Sequence, residues 1–323
     1  MVALGEAWVD AGGAAILASA SLPPALERRV AEGRGFIVRR IEAPAWSSAD
    51  VQAVADLAQH FSARAVVADS YLYDAAYLRA LHDKGIALAA IDDLARLPAY
   101  ACDVLVNPNL AGEEKLYAGK AEAARRLLGP RYVMLRREFS RHRTTVRSIG
   151  TVAKRLLVTF GGVDPKNGGG IALEALALLP ELEVDFVIGA ANVRGDELAA
   201  KAHPLPNVRV IHDARDMAGL IMHSEMLLSA GGTTVWEAAA LGAPMLLAAA
   251  APEEAAAAER LARGGLCLFL GAIETLTPGA LAEEIKAFAE DMAGRARSSV
   301  LGRELVDGMG AERVIDAIRE IAR

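Results

Sequence analysis

The chain has 323 residues, of which 53% are hydrophobic, and a formal net charge of −6. That apolar content excludes a disordered chain, and the length suits two domains of ordinary size. The acidic balance argues against a nucleic-acid partner, which needs a basic face.

The first predicted element is a helix, Val2 to Ala11, closed by Gly12-Gly13. Short apolar strands then alternate with helical patterns. In the first half the strands are Ala14–Ala18, Phe36–Ile41, Ala65–Asp69, Ile86–Ile91 and Asp103–Asn107. Helices are expected at Pro24–Glu32, Asp50–Phe61, Asp74–Lys84 and Glu114–Arg126. The apolar pattern breaks at Arg141 to Lys154, and the arginines between Arg136 and Arg147, interrupted by Glu138, read as a solvated linker. Strands resume at Arg155–Phe160, Val184–Ile188, Val208–Ile211, Met226–Leu228, Met245–Ala248 and Leu266–Phe269, nearly all followed by helices. Strands apolar throughout, alternating with helices, predict an α/β fold of parallel sheets covered on both faces. Two doubly wound, Rossmann-like domains are expected, over 1–140 and 155–323, joined by a linker over 141–154, with ligands in a cleft at the strands' carboxyl ends. Such a domain normally opens on a strand. Here the opening helix implies that the first domain lacks its first strand, which leaves unpaired backbone groups in its sheet.

Cys102 and Cys267 lie far apart and fit no C-x-x-C pattern, as expected of buried thiols in a reducing compartment. No charged start with an apolar core precedes them, and the longest apolar run, Ala243 to Pro252, is too short to span a bilayer. A cytoplasmic protein without membrane insertion is therefore expected.

Two segments carry chemistry. Ser229 to Pro244 reads as a strand end, then Gly231-Gly232, then Thr233-Thr234, then an alanine-rich helix holding Glu237. Backbone N–H groups at such a turn converge on one volume suited to a phosphate. Thr234-x-x-Glu237 also matches a capping box, in which both side chains merely complete the helix start. Glu237 could instead accept hydrogen bonds from ribose hydroxyls. Phe160-Gly161-Gly162-Val163-Asp164-Pro165 is a second strand-to-glycine loop at the same end of the same predicted sheet. Neither loop has Walker or G-x-G-x-x-G spacing. Together they point to a nucleotide diphosphate, with the backbone at Ile211-His212 offered to its base.

In the first half, Asp69 with Ser70 and Tyr71, and the pair Asp92-Asp93, end strands and are acid–base or sugar-binding candidates. Asp92-Asp93 and Asn107-Pro108-Asn109 also suit turns. The histidines at 60, 82, 142, 203, 212 and 223 never pair at metal-ligand spacing on one element, and no G-x-S-x-G elbow occurs.

These residues, with Ile91-Asp92-Asp93-Leu94, Cys102-Asp103, Asn107 to Leu110, Leu128 to Tyr132, Asp216-Met217 and Leu305 to Val314, resemble one family along nearly the whole chain. It is the UDP-sugar hydrolase family of pseudaminic acid biosynthesis and spore-coat polysaccharide synthesis. That family is similar to the N-acetylglucosaminyltransferase of peptidoglycan synthesis and shares its two-domain GT-B fold. The resemblance implies a metal-independent enzyme with no cofactor that hydrolyses a UDP-linked diacetamido-trideoxy sugar to free sugar and UDP. It implies UDP contacts from Gly161, Gly162, Asp164, Ile211, His212, Gly231, Gly232, Thr233, Thr234 and Glu237, with Tyr71 and Asp69 catalytic. Two departures are expected to matter. The family's opening Gly-x-Gly-His loop would lie before Met1, and Glu253-Glu254 stand where the family has Asn-Gln. A glycosyltransferase of the same fold and a catalytically silent sugar-nucleotide-binding protein are the alternatives.

Overall fold

The computed structural model describes residues 1–22, 27, 30, 35–109 and 114–322. Leu110 and most of the helix expected over 24–32 lie outside them. The chain divides into two compact units, residues 1–137 with 308–323, and residues 138–307. The closing segment therefore belongs with the first half, whereas the sequence pattern extends the second domain to Arg323.

In the first unit, β1 (Ala15–Ser19) pairs in parallel with β2 (Phe36–Arg40) alone. A separate parallel sheet runs β3 (Val66–Asp69), β4 (Leu88–Ile91), β5 (Val104–Asn107) and β6 (Arg125–Leu128). Strands β1 and β3 are thus both edge strands among the described residues. The four-stranded sheet is apolar on both faces. Leu88, Ala90 and Leu105 meet Leu78, Leu81 and Tyr117 on one side. Ala89, Ile91, Val104 and Val106 meet Leu4, Val314, Ile315 and Ile318 on the other. The last three come from the C-terminal helix, Gly310–Ile321, whose Ala311, Val314, Ile315 and Ile318 form one apolar stripe. Gly310 lets that helix start against the chain: a Cβ there would sit 2.1 Å from the Val133 carbonyl oxygen.

Strand β6 replaces the end of the helix expected over Glu114–Arg126, of which only Glu114–Tyr117 is helical. Arg125 and Arg126 hide a strand whose inward residue is Leu127. An edge strand tolerates polar residues that a central strand would not.

The second unit holds one parallel sheet in the order β12-β11-β10-β7-β8-β9. Its strands are β7 (Arg155–Thr159), β8 (Glu183–Ile188), β9 (Val208–His212), β10 (Met226–Ser229), β11 (Met245–Ala249) and β12 (Cys267–Ala272). Leu156, Val158, Phe186, Leu228 and Leu246 pack with Leu173, Leu176, Ile285 and Phe288 of the covering helices.

The segment over 141–154 is mostly exposed and without helix or strand, and hydrogen bonds tether it at a few points. Arg147 is largely buried and donates to the carbonyls of Ile221 (2.6 Å), Ser224 and Leu241. Arg295, fully buried, donates to Phe288 (3.1 Å), Gly150 (2.9 Å) and Thr151 (3.0 Å) carbonyls, and Arg303 to those of Arg143 and Thr145. Burial pushes the Arg147 guanidinium down to about 10, which leaves it cationic at neutral pH. Arg137, in the same arginine run, forks onto both carboxylate oxygens of Asp10.

Candidate functional site

The strand order of the second unit reverses between β7 and β10, the position where open α/β sheets bind ligands beyond their carboxyl ends. Thr159 of β7 is in register with Ser229 of β10. Gly161 and Gly231 therefore each lie two residues past the last paired position. The sequence-predicted loops leave adjacent strands side by side.

Their backbones are bare on one side. A Cβ added at Gly161, Gly162 or Gly232 would meet no atom within 4 Å, and Gly161 has φ +77°, which favours glycine. The first loop is buttressed from β8: a Cβ at Gly189 would lie 2.4 Å from the Gly161 carbonyl oxygen, and Ala191 N–H donates to Gly162. Gly189 escaped the sequence reading, although a glycine directly after the strand at Ile188 is the same signal in weaker form.

The helix after the second loop spans Thr234–Ala240. Its cap residue is Thr233, in helical conformation, and no side chain caps it, so the threonine half of the capping box at Thr234 is not made. Among the described residues no acceptor meets the N–H groups of Gly231, Gly232, Thr233 or Thr234. Glu237 lies one turn in and is half-buried.

Asp164 is different. Its carboxylate is buried and accepts from the N–H groups of Gly168 (2.7 Å) and Gly169 (2.9 Å), opening the helix Gly168–Leu176. It shapes the loop from behind. Ile211 and His212 end β9, with His212 exposed and in register with Ile188, two strands away from β7.

Glu254 enters from a third element, the helix Pro252–Arg263 that follows β11. A Cβ on Gly231 would sit 2.7 Å from the Glu254 Cβ, so the second loop and this helix touch through the glycine. The Glu254 carboxylate accepts the Ala250 N–H at 2.8 Å. Glu253 faces solvent.

In the first unit, the ends of β3, β4 and β5 bring another group together. The Tyr71 hydroxyl donates to Asp93 Oδ2 at 2.6 Å, and the Asn109 amide to Asp93 Oδ1 at 2.9 Å. Burial, the Asp93 hydrogen bond and the charges of Asp93, Asp69 and Asp92 push the Tyr71 phenol well above its ordinary value. Tyr71 therefore keeps its proton at neutral pH and gives it to Asp93. Asp69 is exposed, with the amino terminus 3.5 Å from Oδ2. Asp92 turns inward to accept from Tyr117 Oη (2.6 Å) and Ala95 N (2.7 Å). Asn107 takes the turn role, its side chain accepting the Asn109 N–H.

No helix of the described residues is long and apolar enough to cross a membrane. No protein-family model matches the chain. It is 28% identical over 196 residues to the spore coat polysaccharide biosynthesis protein SpsG of Bacillus subtilis, covering 60% of this chain and 58% of that protein. It is 27% identical over 151 residues to the uncharacterized protein MJ1062 of Methanocaldococcus jannaschii, covering 44% of this chain and 31% of that one. The chain thus matches less than two thirds of either relative's length. Among solved structures, MurG of Acinetobacter baumannii superimposes with a TM-score of 0.65 at 15% identity over 98% of this chain and 94% of its own. The spinosyn forosaminyltransferase SpnP gives 0.66 at 16% identity over 98% and 95%. Anabaena HepE, solved in complex with UDP and glucose, gives 0.62 at 15% identity over 99% and 94%. The fold is GT-B, α/β with parallel sheets.

Proposed function

We propose that the protein binds a UDP-sugar in its second unit and hydrolyses it to UDP and free sugar in the biosynthesis of a surface polysaccharide or nonulosonic acid. The observation that carries the reading is the pair of glycine loops beyond β7 and β10, open at Gly161, Gly162 and Gly232, on neighbouring strands where the sheet order reverses. The likeness to SpsG supports the pathway class, and the UDP-bound HepE structure supports the nucleotide. In this reading Gly162, Gly231, Gly232, Thr233 and Thr234 offer main-chain N–H groups to the diphosphate, and Gly161, whose N–H donates to Thr159 Oγ1, leaves the loop open for its approach. Glu237 accepts from the ribose hydroxyls, and Ile211-His212 meets the base. Asp164 acts through the loop it supports.

The reaction is assigned to Asp69 and Tyr71. Water adds its oxygen to the anomeric carbon while the bond from that carbon to the diphosphate oxygen breaks, and UDP leaves with the electron pair. Asp69 accepts the proton that water loses. Tyr71, whose single hydroxyl proton goes to Asp93, accepts a hydrogen bond from a sugar hydroxyl through its oxygen.

Replacing Glu237 by Ala removes charged hydrogen bonds and is expected to weaken UDP binding by about 1.5–3 kcal/mol. Equal affinity for UDP in calorimetry would return Glu237 to a purely helical role. Turnover of UDP-sugars is expected without any acceptor. Turnover that requires one would make the protein a glycosyltransferase, the activity in the name of SpnP.

A further inference from the structure

Resting on that nucleotide reading, we propose that Glu254 makes the second glycine loop prefer a sugar nucleotide to the free diphosphate that hydrolysis leaves behind. Two contacts fix its side chain against the loop. Its Cβ and Cγ lie 2.7 and 3.2 Å from the place a Cβ would take on Gly231, and its Oε2 accepts the Ala250 N–H at 2.8 Å. The carboxylate is one bond beyond that Cγ, with one oxygen on the Ala250 N–H. Among the described residues no cation pairs with it.

The hydrogen bond alone does not require a charge. A glutamine in the same rotamer would accept the Ala250 N–H through its amide oxygen, leaving the start of the helix Pro252–Arg263 intact. What glutamate adds is a fixed negative charge beside amides that otherwise attract anions. A sugar nucleotide carries one charge on each phosphate. Free UDP gains a further ionisation on its terminal phosphate, with a pKa of about 6, so near neutral pH it bears most of another charge. Coulomb repulsion across a few ångströms at a protein surface is large on the scale of binding. Glu254 therefore penalises the product more than the substrate and favours release of UDP, a step that limits many enzymes.

The test is a calorimetric titration of the wild type, E254Q and E253Q with UDP, UDP-N-acetylglucosamine and uridine. E254Q is expected to bind UDP about tenfold more tightly and UDP-N-acetylglucosamine about threefold or less more tightly, so the preference between them shifts toward UDP. Uridine affinity stays constant in all three proteins, and E253Q, altering the exposed neighbour, stays within about twofold of wild type for both nucleotides. A matching melting temperature for E254Q shows that the helix start is retained. An unchanged preference in E254Q, or an equal shift in E253Q, overturns the role of Glu254 while leaving nucleotide binding in place. No binding of any ligand by any of the three overturns the nucleotide reading and this proposal with it.

Discussion

Asp92 and Asp93 are adjacent, identical in type and opposite in placement. Asp92 is buried and accepts from Tyr117 Oη and Ala95 N, tying β4 to the turn after it. Asp93 holds the Tyr71 hydroxyl and the Asn109 amide at the ends of three strands. Replacing Asp92 by Ala strands a buried hydroxyl and a buried N–H, and is expected to cost about 2–3 kcal/mol of stability. Replacing Asp93 by Ala should move stability by only about 0.5 kcal/mol, as a surface change does, yet lower kcat by releasing Tyr71. Denaturant melts and steady-state rates of the two variants separate these outcomes. Residue types and strand ends are visible in the sequence, so both aspartates and Tyr71 stand out there as candidates. Which carboxylate turns inward is decided by Tyr117 and Asn109, more than ten residues away, and no local pattern reports it. Asp164 shows the same limit: its place in a glycine loop suggests a ligand, whereas its oxygens go to the amides of Gly168 and Gly169.

At the scale of elements, the alternation of apolar strands and helices was legible because parallel strands buried on both faces leave uninterrupted apolar runs. The strand carrying Arg125 and Arg126 was not, because an edge strand needs only one inward residue, here Leu127. The arginine run near residue 140 shows in the sequence only as charge: Arg147 is held by main-chain carbonyls and Arg137 by the distant Asp10, partners that sequence does not display. Glu225 belongs to the same seam. Burial raises its carboxyl, but the N–H groups of Lys154 and Arg155, with the charges of Arg155 and Arg295, outweigh this and hold it below the usual carboxylate range. A carboxyl depressed in the folded state stabilises the fold at pH values above its unfolded pKa, and that contribution disappears as pH falls through the folded value. Glu225→Gln removes this titration. Its stability should therefore fall less steeply than that of wild type on acidification below about pH 5, while being lower at pH 7. Urea midpoints measured from pH 7 to pH 3 check the slope.

For the whole molecule, the chain closes its first unit with its last helix. Val314, Ile315 and Ile318 are almost fully buried against Ala89, Val104 and Val106, residues some two hundred positions earlier. Burying each such side chain is worth about 1.5–3 kcal/mol. Ending the chain after Asp307 is thus expected to remove roughly 5 kcal/mol or more from the first unit. The second unit, residues 138–307, keeps its own core. Limited proteolysis of the truncated protein should cut rapidly within residues 1–137 and slowly within 138–307. Equal resistance of both units to cleavage would show that the C-terminal helix is dispensable.

A crystal structure grown with UDP locates the nucleotide outright. Diphosphate oxygens are expected at about 2.7–3.2 Å from main-chain nitrogens among Gly231 to Thr234, with the ribose hydroxyls on Glu237. UDP seated elsewhere, or loops beyond β7 and β10 that touch none of it under saturating nucleotide, would refute nucleotide binding by the glycine loops.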